Sequence, residues 1–197
     1  MSTVSLEEKL TQYHEFFAME YQFSVNVKVI DSNLGESFDN FSRRTPAPFK
    51  LATDMSNLDQ SALRSIENLG ASAAQLVSYI NQQSHKIDLL IGYILSQQDC
   101  EKLRYNGVKF GGGGINFTAK NAFTVGELVE LKIFLSDKNC AIYSYGEIIE
   151  VVKCGDHFSH KVIFHFIRDE DRETLVRNSL QEQAKQLQKL AKLRNNK

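Results

Sequence analysis

The chain has 197 residues, 42% hydrophobic and 24% charged, with 23 Lys and Arg set against 24 Asp and Glu. That is ordinary globular composition, long enough for one good-sized domain or for a small domain plus an oligomerisation element. A net charge of −1 supplies no field to gather nucleic acid or an anionic membrane, and no apolar run approaches the roughly 18 residues of a membrane span.

Ser5 and Glu8 have capping-box spacing, and Leu6, Leu10, Tyr13 and Phe17 recur at helical steps, so the chain is expected to open on a short amphipathic helix. Tyr21, Phe23, Val25, Val27 and Val29 then alternate with Gln22, Ser24, Asn26 and Lys28, the period of a half-buried strand. Asp31 to Lys50 holds both prolines, Pro46 and Pro48, among Gly, Asn and Ser, and reads as a loop or linker.

From about Thr53 to Gln98 the helical signal is the longest in the chain. Alternating steps of four and three from Ala62 meet Ile66, Leu69, Ala73, Leu76, Ile80, Gln83, Ile87, Leu90 and Ile94, all apolar except Gln83. Such regularity marks a coiled-coil seam, and a helix approaching 40 residues would be about 60 Å long. A globule of this size cannot cover that rod, so the seam predicts self-association. Gly70 and Gly92 weaken the helix by about 1 kcal/mol each relative to alanine.

Beyond Glu101 the sequence turns β-rich. Strand-like runs cover Lys102–Phe110, Gly114–Lys120, Leu128–Leu135, Ala141–Lys153 and His160–Ile167, separated by glycine and polar turn signals. Short strands at this spacing indicate a sandwich or barrel. A helix follows from about Glu170, with Val176 and Leu180 expected to cover an open end. Three parts result: 1–50, an N-terminal helix, strand and linker; 51–98, the oligomerising helix; and 99–197, a barrel with its C-terminal helix that is expected to fold alone.

Several chemistries can be weighed against simpler readings. The run Gly111–Gly114 leads into another strand and is followed by no Gly-Lys-Ser/Thr, so it reads as a glycine-rich hairpin or bulge rather than a phosphate loop. His157 and His160 are the only close histidine pair and have no accompanying cysteines or carboxylates, so His14, His85, His157, His160 and His165 are expected at the surface and no metal site is expected. Cys100, Cys140 and Cys154 are scattered and read as free thiols of a reducing compartment. With two glutamates and no apolar core in residues 1–10, no signal peptide is evident, and a cytoplasmic location is expected. No nucleophile elbow or catalytic pairing stands out, so no enzyme is expected. The basic tail, Lys185, Lys189, Lys192, Arg194 and Lys197, is expected to be a solvated helix end rather than a nucleic-acid site.

Gly114-Ile115-Asn116-Phe117, Gly126-Glu127-Leu128-Val129 and Gly146-Glu147-Ile148-Ile149 occur in that order, closed by Val162-Ile163-Phe164-His165-Phe166 and followed by Asp171-Arg172-Glu173-Thr174-Leu175. In these elements residues 100–180 resemble a PilZ domain. The resemblance implies an α+β fold: a PilZ-like antiparallel β-barrel with a helix that plugs it, here preceded by the long helix and the helix-strand unit. The family binds cyclic di-GMP, a bacterial second messenger, through an Arg-x-x-x-Arg before the first strand and an Asp/Asn-x-Ser-x-x-Gly turn after it. Two guanidiniums grip phosphates and stack on guanines, while the Asp and Ser bond the guanine edge and a phosphate.

Aligned on Gly114, Lys109 stands where the family needs the acceptor, and Gly111 where it needs the hydroxyl. Arg104 is the only arginine near the first strand, and the chain is read as holding no Arg-x-x-x-Arg at all, so both motifs are read as broken. Binding in the usual mode is therefore not expected, and no cofactor is assigned. An atypical branch of the family pairs such a barrel with a long heptad helix and assembles as a helix-mediated tetramer. The resemblance then implies an adaptor or scaffold in cyclic di-GMP-linked regulation of pili, motility or surface behaviour. It would act through a homo-oligomer, a tetramer in that branch, and through a protein partner the sequence does not name. The competing reading is a direct receptor recruiting Arg43, Arg44 or Arg104.

Overall fold

The computed structural model describes residues 5–31, 37–52, 71–135 and 140–195. Helix α1 (Leu6–His14) starts with the expected capping box: the Ser5 hydroxyl accepts from the Glu8 N–H at 3.2 Å, and the Glu8 carboxylate accepts from the Ser5 N–H at 2.8 Å. It leads into strand β1 (Ala18–Val29), which is followed by α2 (Phe38–Arg44), a helical segment at 47–52, and α3 (Ala71–Ser96). Strands β2 (Arg104–Gly111), β3 (Gly114–Ala119), β4 (Leu128–Leu135), β5 (Cys140–Cys154) and β6 (His157–Ile167) come next, and α4 (Asp169–Asn195) ends the described chain.

The strands close into an antiparallel barrel in the order β1-β2-β3-β6-β5-β4. Closure leaves no free edge, so every strand has a neighbour on both sides. β1 pairs with β2, Val25 opposite Tyr105, and with β4, Val25 opposite Ile133. Its inward residues Phe23, Val25 and Val27 join Phe110, Ile115, Leu131, Ile133 and Val162 in one buried core. The boundary at residue 99 is therefore corrected: the barrel needs β1, which the sequence reading placed in the separate unit 1–50. A 99–197 fragment would lose one strand and open two edges. The residue that enters the barrel from α4 is Leu175, fully buried, whereas Val176 is only half-buried and Leu180 is 51% exposed.

A second apolar cluster lies on the outer face of β4 and β5. Phe41 from α2, Phe49 and Ala52 from the 47–52 helix, and Leu95 from α3 pack there on Phe134, Ala141, Tyr143 and Tyr145. The Phe41 and Tyr143 rings stack with centroids 5.7 Å apart. The described part of the expected linker, from residue 37 on, is thus structured cover. Pro46 and Pro48 lie just before and inside the first turn of the 47–52 helix, where a missing N–H costs nothing. Arg168 fastens this cover to the start of α4 by a bidentate pair with fully buried Asp171 at 2.9 and 3.0 Å and a bond to the Phe49 carbonyl.

His160 is also corrected from surface to core. It is fully buried, stacks on Phe117 at 4.7 Å, and its Nε2 accepts the Phe123 N–H at 3.1 Å. Burial holds its pKa below the ordinary imidazole value, outweighing backbone hydrogen bonding to Phe117 and Phe158.

Candidate functional site

The residues singled out for nucleotide contact do not converge. Arg104 begins β2 and Gly111 ends it, about 23 Å apart along an extended strand. Arg104 is exposed and donates from Nε to Asp99 at 2.9 Å, which raises its pKa further above the ordinary guanidinium value. Arg43 and Arg44 lie in the last turn of α2. Near the β2–β3 hairpin the outer face carries a cross-strand row: Glu20 opposite Lys109, Lys109 opposite Asn116, Asn116 opposite Lys161, and Lys161 opposite Glu150. Lys161 is bound to Glu150 at 2.6 Å, and Lys109 has an acid on the adjoining strand. The row thus sets two carboxylates beside two cations.

The hairpin itself is filled from two sides, and all of Gly111–Gly114 are buried. A Cβ on Gly112 would meet the Phe16 ring at 2.6 Å and Val176 at 2.7 Å, and one on Gly113 would meet the Tyr13 carbonyl oxygen at 2.7 Å. A Cβ on Gly114 would run into the Val162 carbonyl oxygen and approach the Tyr13 ring at 2.9 Å. Bare backbone at these glycines lets α1 and the strand partner come this close.

Three contacts hold α1 in place. Tyr13, 2% exposed, packs with Ile149 and Ile163 and donates its hydroxyl proton to Asn116 Oδ1 at 2.6 Å. Burial raises its pKa, with Glu150 adding to the rise. Lys161 Nζ stands 5.6 Å from the centre of the Tyr13 ring, and Lys9 Nζ meets Glu147 Oε1 at 2.6 Å. Phe17, expected on the apolar face of α1, is 48% exposed because the helix ends at His14 and the chain turns into β1.

Sequence reasoning missed Arg172. The reading that the chain holds no Arg-x-x-x-Arg is corrected: Arg168 and Arg172 have that spacing, although it follows the last strand instead of preceding the first. Arg172 is the guanidinium that reaches the hairpin: it donates to the Gly112 carbonyl at 2.7 Å and lies 5.3 Å from the Phe16 ring centroid. An aromatic ring of this chain occupies the stacking face that an arginine offers. Among the described residues no cluster of His, Cys, Asp and Glu is arranged to hold a metal, and no helix is long and apolar enough to cross a membrane.

The oligomerisation residues present a different picture. Leu76, Ile87, Leu90 and Ile94 of α3 are 54%, 39%, 63% and 48% exposed, and Tyr79, Leu89 and Tyr93 more than half exposed beside them. Ile80 is half-buried; Ala73 lies within α3, and Ile66 and Leu69 fall outside the described residues. Among the described residues α3 is anchored at its end, by Leu95 and Ile91 in the second cluster, and just beyond it by Asn26, which bonds Asp99 Oδ1 and the Cys100 N–H at 2.7 Å each.

No family model matches the chain, and no curated protein matches it in sequence. Among solved structures it is similar to a pathogenic protein of Xanthomonas campestris, described as a tetrameric PilZ domain self-assembled via a helical bundle. Identity is 14%, covering 90% of this chain and 96% of that one, with a TM-score of 0.58. The Bacillus subtilis inhibitor of motility also matches, at 17% identity over 42% of each chain with a TM-score of 0.40. The fold is that of a PilZ domain: a closed antiparallel barrel with a C-terminal helix.

Proposed function

We propose that this chain is a non-enzymatic, self-associating adaptor on a PilZ-type barrel, acting in cyclic di-GMP-linked regulation in the bacterial cytoplasm without holding the nucleotide. The observation that carries the reading is the filled glycine hairpin, where Tyr13, Phe16 and Arg172 occupy the ground on which a ligand would sit. The uncovered face of α3 supports self-association, since monomers rarely leave so long an apolar stripe in water. Ile66, Leu69, Ala73, Leu76, Ile80, Ile87, Leu90 and Ile94 are assigned to that assembly, and the helical bundle of the Xanthomonas campestris protein favours a tetramer.

Titration calorimetry with cyclic di-GMP tests the reading. No heat of binding is expected at micromolar concentrations. The position of Arg172 favours one second reading, a receptor in which α1 withdraws and that guanidinium takes the ligand. A low-micromolar isotherm lost in Arg172→Ala would establish the receptor and overturn the adaptor.

A further inference from the structure

We infer that Gln83 sets the direction and register of self-association by meeting Gln83 of a second copy in a parallel seam. The inference rests on the self-associating reading and adds how the copies are aligned. Over the described part of α3, steps of four and three alternate through Leu76, Ile80, Gln83, Ile87, Leu90 and Ile94. Heptad lettering puts Ile80, Ile87 and Ile94 at a, and Leu76, Gln83 and Leu90 at d. Gln83 is thus a polar group in the middle of an otherwise aliphatic stripe.

Once a second helix covers the stripe, the Gln83 amide is cut off from water, and its donors and acceptor need partners. Direction decides whether they exist. Two parallel helices in register set a against a and d against d, so Gln83 meets Gln83 and amide bonds amide. Antiparallel helices cannot do this and keep the seam. With Gln83 opposite Gln83 in that sense, Ile87 would face Tyr79 and Ile80 would face Lys86. Restoring the antiparallel seam requires a opposite d, because the steps of three and four then run in opposite order. Gln83 would then face Ile80, Ile87 or another a residue, and every a residue from Ile66 to Ile94 is apolar. An amide buried without a partner is disfavoured. Parallel alignment in register is selected.

No ion pair can take over that role. The 26 residues of α3 hold two charges, Lys86 and Asp88. Lys86 falls at g, and the e positions that would flank it, Val77, Ser84 and Ile91, hold no acid. Tyr79 and Tyr93, 59% and 66% exposed, also fall at g and leave an apolar flank along which two such pairs can join.

The test uses the full chain with Cys100, Cys140 and Cys154 replaced by serine and a single new thiol on α3. Leu90→Cys lies at d, where parallel helices in register bring the two thiols together and the antiparallel seam separates them. Oxidation with copper phenanthroline is expected to convert it to a covalent dimer, and His85→Cys, on the opposite face of α3, is expected to stay monomeric on the same gel. Adding Gln83→Leu to Leu90→Cys should raise the thermal midpoint of the assembly, because the buried amide is gone, while the cross-link yield falls at least twofold and more than one mass appears in light scattering. Gln83→Asn, which keeps an amide in the seam, should retain the yield. An oligomeric mass without the Leu90→Cys cross-link would overturn the parallel pairing. An unchanged yield and a single mass in Gln83→Leu would overturn the role of Gln83. A mass of 22.4 kDa for the unaltered chain would overturn the self-associating reading itself, so the two failures are told apart by mass.

Discussion

Two helices of this chain carry apolar faces and meet opposite fates. α1 sets Tyr13 onto the barrel at 2% exposure, and its polar groups reach partners on three strands: Lys9 and Glu147 on β5, Tyr13 and Asn116 on β3, and the ring of Tyr13 under Lys161 on β6. α3 is nearly three times as long, yet no residue from 75 to 94 is buried. The short helix is held because bare glycine backbone was left for it to touch. The long one carries a stripe for which the described chain has no matching surface. An apolar periodicity therefore says that a face will be covered, and only the surroundings say whether the cover comes from the same chain.

The sharpest way to break that contrast is at α3. Leu76→Asp with Leu90→Asp places charges in the exposed stripe while leaving the Leu95 anchor alone, and should reduce the particle to the 22.4 kDa of one chain by light scattering. An unchanged mass would move the interface elsewhere. At the hairpin the largest effect belongs to Gly114→Ala, whose Cβ meets the Val162 carbonyl, a strand backbone atom that cannot swing aside. A loss of about 3 kcal/mol or more in urea unfolding is expected, at the upper end of overpacking costs. Gly126→Ala is the control: it has open space and a φ of +91°, so only the backbone conformation is penalised, by about 1 kcal/mol.

Tyr13→Phe keeps the packing of α1 but removes the donor to Asn116, and should lower stability by about 1–2 kcal/mol. The smallest effect is a pH slope from His160. Its folded pKa lies below the ordinary 6.5, so the unfolded chain takes up the proton first, and stability falls as pH drops below about 6.5. The slope contributed is at most about 1.4 kcal/mol per pH unit, and His160→Gln should remove it in denaturation curves measured between pH 7 and pH 5.

Much of the barrel was legible because alternation is local: β4 has the predicted limits, and the other barrel strands predicted after residue 100 differ by one to three residues at an end. Membership of β1 was not, although its alternation was clear. Its partners in β2 begin about 75 residues later, beyond the helical insertion, and nothing in Tyr21–Val29 names them. The 38–52 cover was hidden by Pro46 and Pro48, which sit where prolines do not interrupt helices. The departures at Lys109 and Gly111 from the family's turn were readable in the sequence, but the filling of the hairpin was not. Arg172 and Phe16 belong to opposite ends of the sequence and meet only once the barrel has closed.

The most direct measurement is the mass of the purified full chain by multi-angle light scattering, with and without cyclic di-GMP at 100 µM or so. The account predicts an even multiple of 22.4 kDa, four-fold in the favoured assembly, and the same value with the nucleotide present. A 22.4 kDa particle at tens of micromolar, or a mass that changes on adding cyclic di-GMP, would contradict it.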